Sequence, residues 1–90
     1  MAEELEAKAM KVNEATVRFC RSMLEEFGGG NEYRLAIGAA ATALLFHAFR
    51  LELPKSKEKA LELVGVLLGD VAINIQQTSG LKIKFKVEEA

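Results

Sequence analysis

With 90 residues, the chain is long enough for one domain but not for a large core, because a domain of this length buries only about 60–65% of its unfolded surface. Half of the residues are hydrophobic, and the formal net charge of −1 excludes an overall basic field that would attract nucleic acid. A single cysteine excludes an internal disulfide framework and fits a reducing compartment. Because the acidic start MAEELEAK is unlike a signal peptide, we expect a cytoplasmic protein.

The first segment, residues 3–27, is predicted to be a long amphipathic helix. Alternating spacings of four and three place one set of side chains along a single stripe: Leu5, Ala9, Val12, Thr16, Phe19 and Met23. Met10 and Val17 widen the apolar surface to about half of the circumference, so we expect this helix to contact more than one neighbour. The glycines at positions 28–30 then end the helix.

The second predicted helix, residues 32–51, contains fifteen consecutive uncharged residues, Leu35 to Phe49. A helix that is apolar on all sides is buried in a core, an interface or a membrane. Fifteen residues fall short of the roughly 20 that span a bilayer, so we predict no membrane association. Spacings of four, three and four align small side chains and a histidine on one side, where another helix can approach closely: Ala36, Ala40, Ala43 and His47.

The third predicted helix covers residues 57–79. Pro54 breaks the preceding helix, and Ser56 is a suitable N-cap for the next one. An apolar stripe at helical spacing follows: Leu61, Val64, Leu68, Val71 and Ile75. Gly80 is expected to be the C-cap residue.

The last segment, residues 81–87, changes to a period of two, which predicts a half-buried strand. Its apolar positions are Leu81, Ile83, Phe85 and Val87, and they alternate with Lys82, Lys84 and Lys86. A single strand cannot satisfy its own backbone groups, so it needs a partner. Either it pairs with its copy in another subunit, or residues 71–87 form a hairpin. The helical stripe through Ile75 favours the first alternative.

These patterns predict a mainly α fold, with three helices and a C-terminal strand in one domain covering residues 1–90. The apolar fraction is more than a small three-helix monomer can easily hide, so homodimerisation is expected to complete the core. The expected interface consists of the aligned positions of the central helix and the apolar positions of the strand: Ala36, Ala40, Ala43, His47, Leu81, Ile83, Phe85 and Val87.

Two residues have side chains that are capable of catalysis or metal binding, but neither has the partners that such chemistry needs. His47 is the only histidine and Cys20 the only cysteine, whereas a zinc site usually needs three or four protein ligands. We interpret His47 as a buried or interface residue and Cys20 as part of the core. Carboxylates such as Glu25 and Glu26 are adjacent in the sequence and do not face each other on a helix. We therefore expect no catalytic residues, no cofactor and no metal.

The expected function is that of a small non-catalytic interaction or adaptor protein that associates with itself. A second, different protein is a further expected partner. A nucleic-acid-binding accessory protein is the first alternative, since a symmetric ribbon would present Lys82, Lys84 and Lys86 to phosphates. The negative net charge and the neighbouring Glu88 and Glu89 weigh against it. A small enzyme or ligand-binding module with a site between subunits is the second alternative.

Overall fold

A computed structural model describes residues 2–90 and contains three helices in this part of the chain. They are α1 (Ala2–Phe27), α2 (Asn31–Glu52) and α3 (Lys57–Ser79). The predicted mainly α fold is confirmed. No strand is present between residues 2 and 90, so the predicted strand at residues 81–87 is not observed in the single chain. The reason is physical: a strand is defined by hydrogen bonds to a second strand, and residues 2–90 contain no second strand with which this segment could pair.

Helix α1 ends at Phe27 because the next residue adopts a conformation that favours glycine. Gly28 has a φ of +74°, and its N–H donates to the carbonyl oxygen of Leu24 at 2.8 Å. This left-handed residue satisfies a terminal carbonyl and turns the chain out of the helix. At the other end of α1, Glu3 and Glu4 lie in the first turn, where the helix dipole favours negative charge.

Helix α3 is capped at both ends by the residues that the sequence indicates. Ser56 has an extended backbone, and its Oγ accepts a hydrogen bond from the Lys59 N–H at 3.2 Å. Gly80 has a φ of 75°, and its N–H donates to the Gln76 carbonyl at 2.8 Å. Because α3 continues to Ser79, the hairpin alternative over residues 71–87 is wrong. The i, i+3, i+4 spacing of the apolar side chains outweighs the strand-like composition of this short segment.

By packing, the chain divides into two compact units, Met1–Ala41 and Thr42–Ala90, and the boundary lies within α2. In the first unit, the half-buried side chains are Cys20, Met23, Tyr33, Ala36, Ile37 and Ala40. In the second unit, α3 has a half-buried face that includes Leu61, Val64, Leu68, Ala72 and Ile75. Val71, which the spacing places on this stripe, is exposed. The expected single domain over residues 1–90 stays a prediction.

Burial is very limited in both units. Among residues 2–90, only Ala60 is fully buried. Each helix carries large apolar side chains that are mostly exposed, for example Leu5 at 68%, Leu35 at 74% and Val66 at 55% of their accessible surface. The apolar faces that the sequence defines are therefore present on the helices, but the described residues of one chain do not cover them.

The left-handed conformation of Gly28 gives a direct test of how α1 ends. Gly28→Ala should lower the free energy of unfolding by about 1–2 kcal/mol, because an L side chain is strained at this φ. Gly30→Ala is the matched control, since Gly30 has no positive φ and also has open space at its Cβ position. The measurement is denaturant unfolding at one fixed protein concentration. Equal effects of the two substitutions would contradict the assigned helix end.

Candidate functional site

The four aligned positions on α2 differ in how far they are covered. Ala36 and Ala40 are half-buried in the first unit, whereas Ala43 and His47 are exposed in the second unit. The helical period puts them on one side of α2, but the structure provides neighbours for only the first two. The expected interface at these positions stays a prediction, and its exposed part is the segment around Ala43 and His47.

His47 lies on an exposed part of α2 and has apolar neighbours in the sequence on both sides. The adjacent Phe46 is 57% exposed. The guanidinium carbon of Arg50 lies 5.7 Å from the centre of the Phe46 ring. This distance is within the range of a cation–π contact, which at an exposed position contributes about 0.5–1 kcal/mol. His47 is therefore not buried in the single chain. Of its two expected roles, only that of an interface residue stays a prediction.

The residues that could hold a metal do not come together in the described part of the chain. No group of three or more His, Cys, Asp or Glu side chains is placed to bind a metal ion among the residues that were searched. Cys20 is a free, half-buried cysteine in the first unit. Its expected role in the core stays a prediction.

The lysines of the C-terminal segment are exposed but do not form a ribbon. Lys82, Lys84 and Lys86 all have exposed side chains, and the Lys86 ammonium lies 3.7 Å from a carboxylate oxygen of Glu88. That ion pair offsets part of the positive charge that a polyanion would meet. A lysine face doubled by symmetry would require a second copy of the chain.

The structure adds one feature that the sequence does not reveal: the C-terminal segment returns toward the start of α3. Glu89 lines a cavity of about 150 Å³ together with Phe49, Leu53, Lys57 and Leu61, so the end of the segment lies near the start of α3. The 23 residues of α3 measure about 34 Å. Nine residues in extended form cover about 30 Å, so the segment is long enough to reach from Gly80 back to the start of α3.

A second feature that the sequence does not reveal is an apolar groove beside the glycine triplet at positions 28–30. It has a volume of about 460 Å³, and its lining consists of Phe27, Glu32, Leu35, Ala36 and Ala39. The large apolar residues on either side of the glycines could have indicated it, because a tight connection brings the end of α1 close to the start of α2. Its lining is almost entirely apolar, so it offers few groups for chemistry and more surface for packing.

Comparison with known proteins gives no functional assignment. No family model matches the chain, and neither a curated protein nor a solved structure is similar to it. Two helices, Asn31–Glu52 and Lys57–Ser79, are long and apolar enough to cross a membrane by length and composition alone. The buried core helix of a soluble protein and a signal sequence also have this length and composition. The expected cytoplasmic location stays a prediction.

The packing of the C-terminal segment can be tested at Val87, which is half-buried. Val87→Ser should lower the free energy of unfolding by about 0.5–1 kcal/mol, because apolar contact is lost. Lys84→Ser, at an exposed position of the same segment, should change it by less than about 0.5 kcal/mol. Thermal or denaturant unfolding of the two variants checks this difference. If Val87→Ser had no effect, the segment would not pack on its unit.

Proposed function

We propose that this protein is a small, non-catalytic interaction protein whose core is completed by association between copies of the chain. The observation that carries the proposal is the near absence of burial: only Ala60 is fully buried among residues 2–90. Full burial of a large aliphatic or aromatic side chain stabilises the folded state by about 1.5–3 kcal/mol. Most such side chains in residues 2–90 are largely exposed, so they stabilise the single chain by less. Association would supply the missing burial.

Large apolar side chains are exposed on each of the three helices. On α2 they include Leu35, Leu44 and Phe46, and on α3 they include Val66 and Ile73. Monomeric proteins in water rarely expose large contiguous apolar patches, whereas interfaces of permanent assemblies resemble a divided core. This distribution supports an obligate assembly more than a transient contact.

The C-terminal segment supports the same proposal through its backbone. Leu81, Ile83 and Phe85 are exposed, and their alternation with lysines is typical of a half-buried strand. We propose that residues 81–87 pair with the same residues of a second copy, which would satisfy their backbone N–H and C=O groups. The lysines would then lie on the outer face, where they discourage further pairing at the edge.

A membrane-spanning role has less support than association in water. Helix α2 as a whole is long and apolar enough to cross a bilayer, but its longest uncharged run is fifteen residues, or about 22 Å, whereas the hydrocarbon core is about 30 Å thick. Helix α3 carries Glu62 and Asp70 within its apolar part, and charged side chains inside a membrane are costly. The nucleic-acid alternative is weakened by the Lys86–Glu88 ion pair.

The molar mass in solution tests the proposal most directly. Light scattering on a sizing column, in buffer without detergent, should give at least twice the chain mass of 9.9 kDa. The mass should persist at high salt, because apolar burial is not screened by ions. A stable species of 9.9 kDa across the concentration range, or protein that remains in solution only with detergent, would contradict the proposal.

Strand pairing of the C-terminal segment has a separate readout in amide hydrogen exchange. In an antiparallel pair, alternate residues donate their N–H groups to the other strand. We expect one alternating set of amides between residues 81 and 87 to exchange slowly at concentrations where the protein is associated, and to exchange rapidly after dilution. The amides in the middle of α3 serve as the reference that dilution should affect less. Uniformly rapid exchange in the associated protein would rule out the strand.

A further inference from the structure

The C-terminal segment, residues 81–90, is attached to the rest of its unit at two places. Its start continues covalently from the end of α3. Near its end, Val87 is half-buried while every other residue from 81 to 90 is exposed, and Glu89 lines the cavity of about 150 Å³ at the start of α3. We call the contact made by Val87 and Glu89 the C-terminal anchor.

Between these two attachments the segment is extended. Residues 80–90 contain no helix, turn or bend. Nine residue steps in extended form cover about 30 Å, and α3 rises about 28 Å from Leu61, which lines the cavity, to Gly80. The ion pair between Lys86 and Glu88 agrees with this conformation, because side chains two residues apart lie on the same face of an extended segment.

The backbone of the extended segment is not paired with any other part of the described chain. The Leu81 N–H donates to the Oγ of Ser79 at 3.2 Å, but within residues 2–90 no hydrogen bond between backbone groups involves residues 82–90. The anchored segment therefore already has the extended conformation of a β-strand, while its N–H and C=O groups still need partners. Anchoring does not block the edge through which a second strand would pair.

We infer that the C-terminal anchor positions residues 81–87 for pairing with the same residues of a second copy, and so controls how tightly the chains associate. The inference rests on the proposed function, because it concerns the proposed strand pairing, and it adds a conformational control to it. A segment without its anchor has to be ordered when two copies meet, and this ordering lowers affinity. An anchored segment is ordered beforehand, so affinity rises with the anchored fraction of the chains.

The anchor is small, so single changes are able to alter the anchored fraction. Its apolar part is one half-buried valine beside the cavity. Leu53 also lines this cavity, is 39% exposed, and lies between α2 and α3, outside the pairing residues 81–87. Lys57 and Glu89 carry opposite charges at the same cavity. These three positions allow the anchor to be changed without any substitution in the pairing residues.

A covalent lock tests whether anchoring favours association. In a Cys20→Ala background, Lys57→Cys and Glu89→Cys place two thiols at one cavity, and a short bis-maleimide should join them within one chain at high dilution. The control is the same chain with both thiols capped by N-ethylmaleimide. The locked chain should have a dissociation constant about 3-fold or more below that of the capped chain, measured by light scattering over a dilution series.

Two results of this experiment would overturn the inference. A locked chain that associates no more tightly than the capped chain would show that the anchor does not favour pairing, and weaker association would show that the segment has to leave the cavity first. Thiols that cannot be joined within one chain would show that the end of the segment does not lie at the cavity.

Leu53→Ser gives a second test with an internal control. In the capped chain it should raise the dissociation constant about 3-fold or more, because a weaker anchor lowers the anchored fraction. In the locked chain it should change the constant by less than about 2-fold, since the cross-link replaces the lost contact. Equal effects in the two chains would mean that Leu53 acts by another route, and would contradict the inference.

The two proposals fail in different ways. A native protein that remains a monomer of 9.9 kDa would overturn both the proposed function and the role of the anchor. An associated protein in which the lock does not lower the dissociation constant would overturn only the role of the anchor and leave the proposed function standing. Tighter association of the locked chain would support both.

Discussion

The dominant constraint on this molecule is that three helices must find enough apolar contact to offset the entropy of ordering 90 residues. Ordering the backbone costs about 1–2 kcal/mol per residue, whereas burying apolar surface stabilises the fold by about 25 cal/mol for each Å². Because Ala60 alone is fully buried among residues 2–90, the described chain gains little stabilisation from apolar burial. The hydrogen bonds and caps of the helices cannot replace it, since each contributes about 1 kcal/mol.

The ends of the helices could be predicted from the sequence because they depend on local chemistry. A glycine with φ near +75° ends α1 and α3, and a serine side chain begins α3. These effects act within about four residues, so a single sequence contains the information. The strand at residues 81–87 depends instead on a partner segment, and its period of two could indicate an apolar face without indicating what pairs with it.

The candidate interface on α2 could be predicted only in part, for a related reason. The spacing places Ala36 and His47 on one side of the helix, but α2 is apolar on nearly all sides, so the pattern does not show which side is covered. The structure half-buries Ala36 and exposes His47. On α3 the stripe is narrower, and most of its predicted residues are half-buried. The return of the C-terminal segment toward Lys57 involves contacts between distant residues, which no local pattern contains.

Self-association would also restrict the stoichiometry of the assembly. A contact through the exposed apolar side chains of α1, such as Leu5 and Val12, would cover part of the first unit, but it leaves Phe46 and Ile73 of the second unit to find other contacts. Pairing through residues 81–87 would be a second, separate two-fold contact. If one partner supplies both contacts, the closed assembly is a dimer; if two partners supply them, a tetramer is the smallest closed assembly. A mass of four chains would therefore indicate two independent interfaces, each with its own variants that reduce the tetramer to dimers.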